Sequence, residues 1–92
     1  MKPEDTIVTD YVDLCLICGR NYTQHGHHLI CGSGKRKNGT EDKLILPVCA
    51  ECHNRIHNDG VAMKLSEMVG QAIFEQTRTR EEFRKRYGNS HF

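Results

Sequence analysis

Hydrophobic residues are concentrated in two short runs and in two later stretches with a helical repeat. The runs HGHHLI (residues 25–30) and KLILPVC (residues 43–49) have the length of strands, so they predict two strands. Between residues 61 and 76, apolar side chains recur every three or four positions, which predicts a helix, although Gly70 disfavours it by about 1 kcal/mol. Residues 79–88 predict a second, shorter helix, because Thr79 and Glu82 at its start match a capping box.

Polar stretches separate these elements. Residues 1–12 lack periodicity and predict a flexible N-terminus, whereas residues 31–42 (CGSGKRKNGTED) have the composition of a loop. The segment CAECHNRIHN at residues 49–58 predicts a short helix. The helix is expected to end at the sequence NDG, residues 58–60. The order of the elements predicts a small α+β fold, with residues 13–60 as its core and residues 61–92 as a C-terminal helical extension packed on that core.

The composition is that of one small domain with a thin core. The chain has 92 residues, of which 37% are hydrophobic and none is tryptophan, and at this size a metal or a disulfide commonly supplements the core. No apolar run has the length of a signal peptide or a membrane span, which favours a soluble, cytoplasmic protein without a membrane partner. Of the 13 lysines and arginines, 11 lie after residue 34. This bias is compatible with nucleic-acid binding and equally with a solvated charged surface.

Four of the five cysteines form two CxxC pairs, Cys15 with Cys18 and Cys49 with Cys52. Each pair presents two thiolates at the spacing that tetrahedral zinc requires, and without a secretory signal a metal site is favoured over disulfides. The two pairs therefore predict one structural zinc, with buried free thiols or a redox pair as the alternative. Cys31 has no CxxC partner, and we expect it to pack as a small apolar residue.

The histidines predict a second site on the other side of the short helix. His27 and His28 are neighbours on a strand, so their side chains point to opposite faces and serve different roles. His53 and His57 are four residues apart and share one face of a helix. Cys52 and His53 are separated by about 100° around that helix, so one tetrahedral ion does not bind both without distorting the turn. We therefore expect the cysteines to face one site and these histidines to face another.

The combined pattern CLICG, HHLI and LILPVCAECHNRIH resembles the HNH endonucleases, also called ββα-metal or His-Me finger nucleases, in their zinc-knuckle form. The downstream segments GVAMKLSEMVGQAIFEQT and TREEFRKRYGNSHF resemble the tail of small phage and prophage HNH proteins. The resemblance covers residues 15–92 and implies a ββα-metal core followed by C-terminal helices. It also implies metal-dependent hydrolysis of DNA that leaves 5′-phosphate and 3′-hydroxyl ends, in a bacterial host that carries a phage or prophage.

Matched position by position, the resemblance assigns His28 as the general base that deprotonates water. It assigns His27 and His53 as ligands of a catalytic divalent ion, His57 as an extra ligand of that ion, and the four CxxC cysteines as ligands of the structural zinc. The expected catalytic ion is Mg²⁺, Mn²⁺, Ni²⁺ or Zn²⁺, although imidazoles suit the later transition metals better than magnesium. The basic residues nearest the pattern are expected to contact DNA phosphates; these are Lys35, Arg36, Lys37 and Arg55. No recognition helix is visible, so low sequence specificity is expected.

One position departs from the family pattern. Leu44 stands where the middle asparagine of the motif belongs, so the residue that steadies the general base is not identified. Asn38 and a shifted strand register are the two alternatives. His25 and His91 are assigned no role, although His25 is near enough in sequence to touch phosphate.

Two other interpretations stay open. A non-catalytic, zinc-dependent nucleic-acid-binding module would use Cys15, Cys18, His53 and His57 on one ion. A phage packaging accessory protein would carry the histidines without a catalytic role. As an endonuclease, the chain would nick or cleave DNA as a monomer or homodimer, beside phage packaging or recombination proteins.

Overall fold

The structure, a computed structural model, describes residues 6–32 and 34–92, and within them a two-stranded sheet is combined with four helices. In chain order the elements are β1 (His25–His28), α1 (Arg36–Glu41), β2 (Ile45–Val48), α2 (Ala50–Asn58), α3 (Gly60–Phe74) and α4 (Arg80–Tyr87). Strands β1 and β2 are antiparallel, with His25 opposite Val48 and His28 opposite Ile45. The predicted α+β class is confirmed. In the described part of the chain, no helix combines the length and the hydrophobicity that a membrane crossing requires.

The predicted strands and helices are all present, with ends displaced by up to two residues. Cys49 precedes α2 as its N-cap, and Asp59 caps α3 by accepting hydrogen bonds from the N–H groups of Val61 and Ala62. The capping box of α4 is confirmed, since Thr79 Oγ1 accepts from the Glu82 N–H and the Glu82 carboxylate accepts from the Thr79 N–H.

The prediction of a loop over residues 31–42 is wrong in part, because Arg36–Glu41 forms α1. Its composition does not favour a helix, so the stabilisation comes from tertiary contacts. The Asn38 amide donates to the Arg86 carbonyl oxygen of α4 at 2.6 Å. The Arg86 guanidinium in turn pairs with Glu41 at 3.1 Å and with Asp42 at 2.8 Å. These partners lie more than 40 residues apart in the chain, beyond the reach of a local pattern.

The N-terminal segment is bonded to the sheet from residue 6 onward. The Thr6 hydroxyl donates to the carbonyl oxygen of Ile45, and the Ile7 N–H donates to that of Lys43 at 3.0 Å. Val8 packs against the hydrophobic core. Of the N-terminal stretch for which flexibility is predicted, residues 1–5 lie outside the described residues.

The core consists of two clusters that meet at the sheet. The larger is built from residues of the sheet region and the C-terminal helices: Leu29, Ile30, Leu44, Phe74, Phe83 and Tyr87. The smaller has three cysteines among its five buried members: Cys15, Val48, Cys49, Cys52 and Ile56. Leu46 packs against both clusters. The smaller cluster therefore contains few buried apolar side chains other than the cysteines.

Helix α3 lies directly on the segment that follows β1. A Cβ atom added at Gly70 would lie 2.9 Å from Leu29 Cβ and 2.8 Å from Ile30 Cδ1, both too close for carbon atoms. A glycine in the middle of a helix normally weakens it, but here it permits the close approach of helix and strand. The approach also places Ser66 against the end of β1.

We expect Gly70→Ala to destabilise the protein although alanine favours helices. Overpacking costs about 1–3 kcal/mol and helix propensity returns about 1 kcal/mol, so the free energy of unfolding should fall by up to roughly 2 kcal/mol. Gly60→Ala is the matched control in the same helix, because a Cβ at Gly60 has no neighbour within 4 Å. Urea denaturation of both variants checks this. Equal stability of the two variants would contradict the close packing of α3.

Candidate metal centre

The first CxxC pair sits in a tight knuckle before β1. Gly19 adopts a positive φ of 66°, a backbone conformation that residues with a side chain rarely adopt. Its N–H donates to the Cys15 carbonyl oxygen at 2.9 Å. The Cys15 N–H donates to the carbonyl oxygen of Asn21 at 3.0 Å, which closes the turn. The knuckle is joined to β2 by the Leu16 N–H, which donates to the Pro47 carbonyl oxygen at 3.1 Å. Cys15 and Cys18 are thereby presented toward the start of α2.

The second CxxC pair completes the group at the N-terminus of α2. The sulfur atoms of Cys15, Cys18, Cys49 and Cys52 lie within 4.8 Å of one another, and the Cys18 and Cys49 sulfurs are 4.0 Å apart. Two sulfurs on one tetrahedral zinc, each at ~2.3 Å, are separated by roughly 3.8 Å. The group therefore fits a single metal ion, in agreement with the predicted structural zinc. Cys31 lies outside it, as predicted, and its thiol donates to the His28 carbonyl oxygen at 3.3 Å.

Backbone N–H groups stabilise negative charge on two of the sulfurs. The Cys52 N–H, at the N-terminus of α2, lowers the pKa of Cys49 to about 6. The N–H groups of Arg20 and Asn21 lower the pKa of Cys18. Burial acts in the opposite direction at Cys52 and raises its pKa. Both lowered pKa values favour the thiolate, the form that binds a metal.

The histidine group lies across α2 from the cysteines. Strand β1 supplies His27, and successive turns of α2 supply His53 and His57. One nitrogen from each of the three rings lies within 4.8 Å of the others, and the Nε2 atoms of His53 and His57 are 3.0 Å apart. Two nitrogens bound to one tetrahedral ion at ~2.1 Å are separated by roughly 3.4 Å. The three imidazoles are therefore spaced to hold one metal ion.

The environment of His27 supports this fit. The ring is 1% exposed, and its Nδ1 atom is buried without a hydrogen-bond partner. Burial, followed by the neighbouring His53 and His57, lowers the pKa of His27 to about 4. The ring is therefore neutral at neutral pH, which is the form that binds a metal. A buried nitrogen without a partner is costly in an apolar site, and a metal ion would satisfy it.

The segment CAECHNRIH is divided between the two groups. Cys52 belongs to the sulfur group and His53 to the nitrogen group, although the two residues are adjacent. The alternative ligand set of Cys15, Cys18, His53 and His57 is not brought together. Helix α2 therefore separates two possible metal sites of different ligand chemistry.

His28 points away from His27, as alternation along a strand requires, and packs against α1. Its Nε2 atom lies 3.0 Å from the Thr40 hydroxyl oxygen, and a Cβ at Gly39 would lie 3.4 Å from its Cδ2 atom. Burial, followed by the nearby charge of Arg36, lowers the pKa of His28. Its imidazole is thus held in place and kept neutral.

His28 and the three-histidine group nevertheless line the same pocket of about 230 Å³. His27, His28, His53 and His57 contribute to its wall, and so does Arg36. Among the four basic residues predicted to contact phosphates, Arg36 is the one that lines this pocket. Lys35 lies beside Gly32 near its edge and Lys37 is exposed on α1. Arg55 pairs with Glu51 at 2.6 Å and lines two other grooves.

A family model described as "Protein of unknown function (DUF968)" matches residues 8–79. The chain belongs to this family. The matched range includes both possible metal sites. No curated protein matches the chain, and no solved structure does.

Several residues that contact these sites are not among those predicted from the sequence of this DUF968 member. Asn21 donates to the Cys49 sulfur at 3.6 Å, Thr40 contacts His28, and Ser66 contacts His27. His25 stacks on His53 with ring centroids 5.1 Å apart. Only His25 was detectable beforehand, since it lies two residues before His27 and so on the same strand face.

The structure also places Leu44, which stands where the motif asparagine belongs, and Asn38, one of its two proposed substitutes. Leu44 is a fully buried core residue whose carbonyl oxygen accepts from the Leu29 N–H at 3.1 Å. The Asn38 amide is bonded to α4 and not to the segment that carries His28. Thr40 on α1 is the side chain that contacts the His28 ring.

We expect Cys18→Ser to lose the bound zinc and unfold the domain. Structural zinc contributes about 10–16 kcal/mol of apparent binding free energy, comparable to or larger than the ~5–15 kcal/mol net stability of a domain. Zinc content by elemental analysis and thermal unfolding by circular dichroism measure both effects. Cys31→Ser is the control, because Cys31 lies outside the sulfur group. A Cys18→Ser protein that melts at the wild-type temperature would refute the structural role.

Proposed function

We propose that the protein is a metal-dependent endonuclease that hydrolyses DNA phosphodiester bonds with low sequence specificity. The observation that carries the proposal is the single pocket lined by a histidine group spaced for a metal, by a separate neutral histidine and by an arginine. These are the three components that the resemblance to HNH endonucleases requires in one place. The DNA substrate and the catalytic ion both belong to the proposal.

His28 is the general base in this proposal. Its lowered pKa keeps the ring neutral, so it can accept a proton from water at neutral pH. When Nε2 donates its proton to the Thr40 hydroxyl, Nδ1 carries the lone pair that accepts the proton. Thr40 would then hold the ring in a fixed orientation, the task that the missing asparagine leaves open.

In this proposal His27, His53 and His57 would hold a catalytic divalent ion. When bound, that ion supplies Lewis acidity to a phosphate oxygen and stabilises charge on the leaving oxygen. Three imidazole ligands suit zinc, nickel or cobalt better than magnesium. Arg36, at the wall of the same pocket, is placed to attract a DNA phosphate.

The cysteine group has a structural role in the proposal. A zinc bound by four thiolates has no open position for water or substrate. Its effect on the chemistry would be indirect: it would fix Cys49 and Cys52 at the start of α2, where His53 follows directly. The position of the histidine group relative to β1 would therefore depend on the zinc.

We expect His28→Ala to lower plasmid nicking by about 10²–10⁴-fold, the usual contribution of a general base. The assay measures conversion of supercoiled DNA with added Mg²⁺, Mn²⁺, Ni²⁺ or Zn²⁺. His91→Gln is the control, because His91 contacts Glu67 and Phe83 and does not line the pocket. Circular dichroism verifies that both variants fold.

Two results would refute the proposal. One is equal nicking by wild type and His28→Ala with every metal, which would show that the cleavage comes from elsewhere. The other is the absence of nicking by wild type with all four metals. DNA binding without cleavage would then favour the non-catalytic nucleic-acid-binding interpretation.

A further inference from the structure

Ser66 connects helix α3 to the histidine group. The residue lies on the second turn of α3, is 8% exposed, and contacts His27 of β1. Its hydroxyl oxygen is 2.9 Å from His27 Nε2 and 2.9 Å from the carbonyl oxygen of Leu29. The segment 61–92, which the sequence predicts as a helical extension packed on the core, thus reaches the histidine group through Ser66.

The protons in the hydrogen bonds that link Leu29, Ser66 and His27 can be placed in one consistent way. The Leu29 carbonyl oxygen can only accept, so the single hydroxyl proton of Ser66 is donated to it. The Ser66 oxygen is then the acceptor in its contact with His27, and Nε2 must carry the ring proton. A neutral imidazole has one such proton, so the lone pair is on Nδ1.

Because Nε2 is engaged by Ser66, Nδ1 is the nitrogen of His27 that is left to bind an ion. His27 Nδ1 is buried and has no protein partner, and the His27 ring lies with its centroid 5.3 Å from the centroids of both His53 and His57. A ring with the opposite tautomer would present an N–H group there and could not bind an ion. The contact with Ser66 therefore selects the form of His27 that completes the group.

We propose that Ser66 is a positioning residue of the histidine site: its hydroxyl fixes the tautomer and orientation in which His27 Nδ1 binds a divalent metal ion. Helix α3 is thus part of the site's supporting shell. The inference rests on the metal site of the proposed function, but it does not depend on DNA being the substrate. Supporting partners of this kind change metal affinity by about 10–100-fold when removed.

The test measures binding of a second ion to protein that already holds its zinc on the cysteines. Calorimetric titration with Ni²⁺ gives the affinity for wild type, Ser66→Ala and Ser66→Thr, and a His53→Ala, His57→Ala double variant gives the background. Ile73→Ala is the matched control, since Ile73 packs on the larger core cluster from the same helix and has no polar contact to lose. Nitrogen-15 NMR of the ring identifies the His27 tautomer without the second ion.

We expect Ser66→Ala to bind Ni²⁺ about 10–100-fold more weakly, and Ser66→Thr, which keeps the hydroxyl, to bind like wild type. Ile73→Ala should melt at a lower temperature but bind Ni²⁺ normally, which separates positioning from general stability. The wild-type His27 ring should be protonated at Nε2, and Ser66→Ala should lose this preference.

Three results would overturn the inference: wild-type affinity in Ser66→Ala, an equal loss of affinity in Ile73→Ala, or a His27 ring protonated at Nδ1 in wild type. Wild type that binds no second ion would overturn it together with the metal site. A second ion that depends on Ser66 in a protein without nuclease activity would refute the proposed function and leave this inference standing.

Discussion

The rest of the structure depends on the position of α2, a helix of nine residues with two chemically different faces. Cys49 and Cys52 place its first turn against the knuckle of Cys15 and Cys18, and His53 and His57 then project toward β1. The angle of about 100° between successive residues of a helix produces this separation. Because the helix is short, a small change at its sulfur end displaces both imidazoles relative to His27. Fixing that end is therefore a requirement for any chemistry in the pocket.

The composition of the core explains why a metal would provide that constraint. The cluster around α2 has Val48 and Ile56 as its fully buried aliphatic side chains, which contribute roughly 3–6 kcal/mol together. Bound zinc contributes more than this by itself. The larger cluster, to which α3 and α4 contribute, consists of ordinary aromatic and aliphatic packing. With zinc bound, the two clusters would have different sources of stability, and Leu46 of β2 packs against both.

Local spacing made part of this arrangement predictable. The CxxC pairs, the alternation of His27 and His28, and the four-residue interval between His53 and His57 each fix a direction, because the periods of strand and helix do so. Helix α1 was not predictable, since Asn38 and Asp42 bind residues of α4 more than 40 positions away. Ser66 and Thr40 were missed for the same reason. Hydroxyl residues are common, and only the packing of α3 and α1 brings these two to histidine nitrogens.

The central claim is that one short helix separates two metal sites, one of four sulfurs and one of three imidazoles. Native mass spectrometry tests it most directly, because it counts bound ions on the folded chain. After dialysis against a mild chelator the protein should retain one zinc, and added Ni²⁺ should give a second ion that the His53→Ala, His57→Ala double variant lacks. A single ion under all conditions, or a second ion that persists in the double variant, would contradict the account.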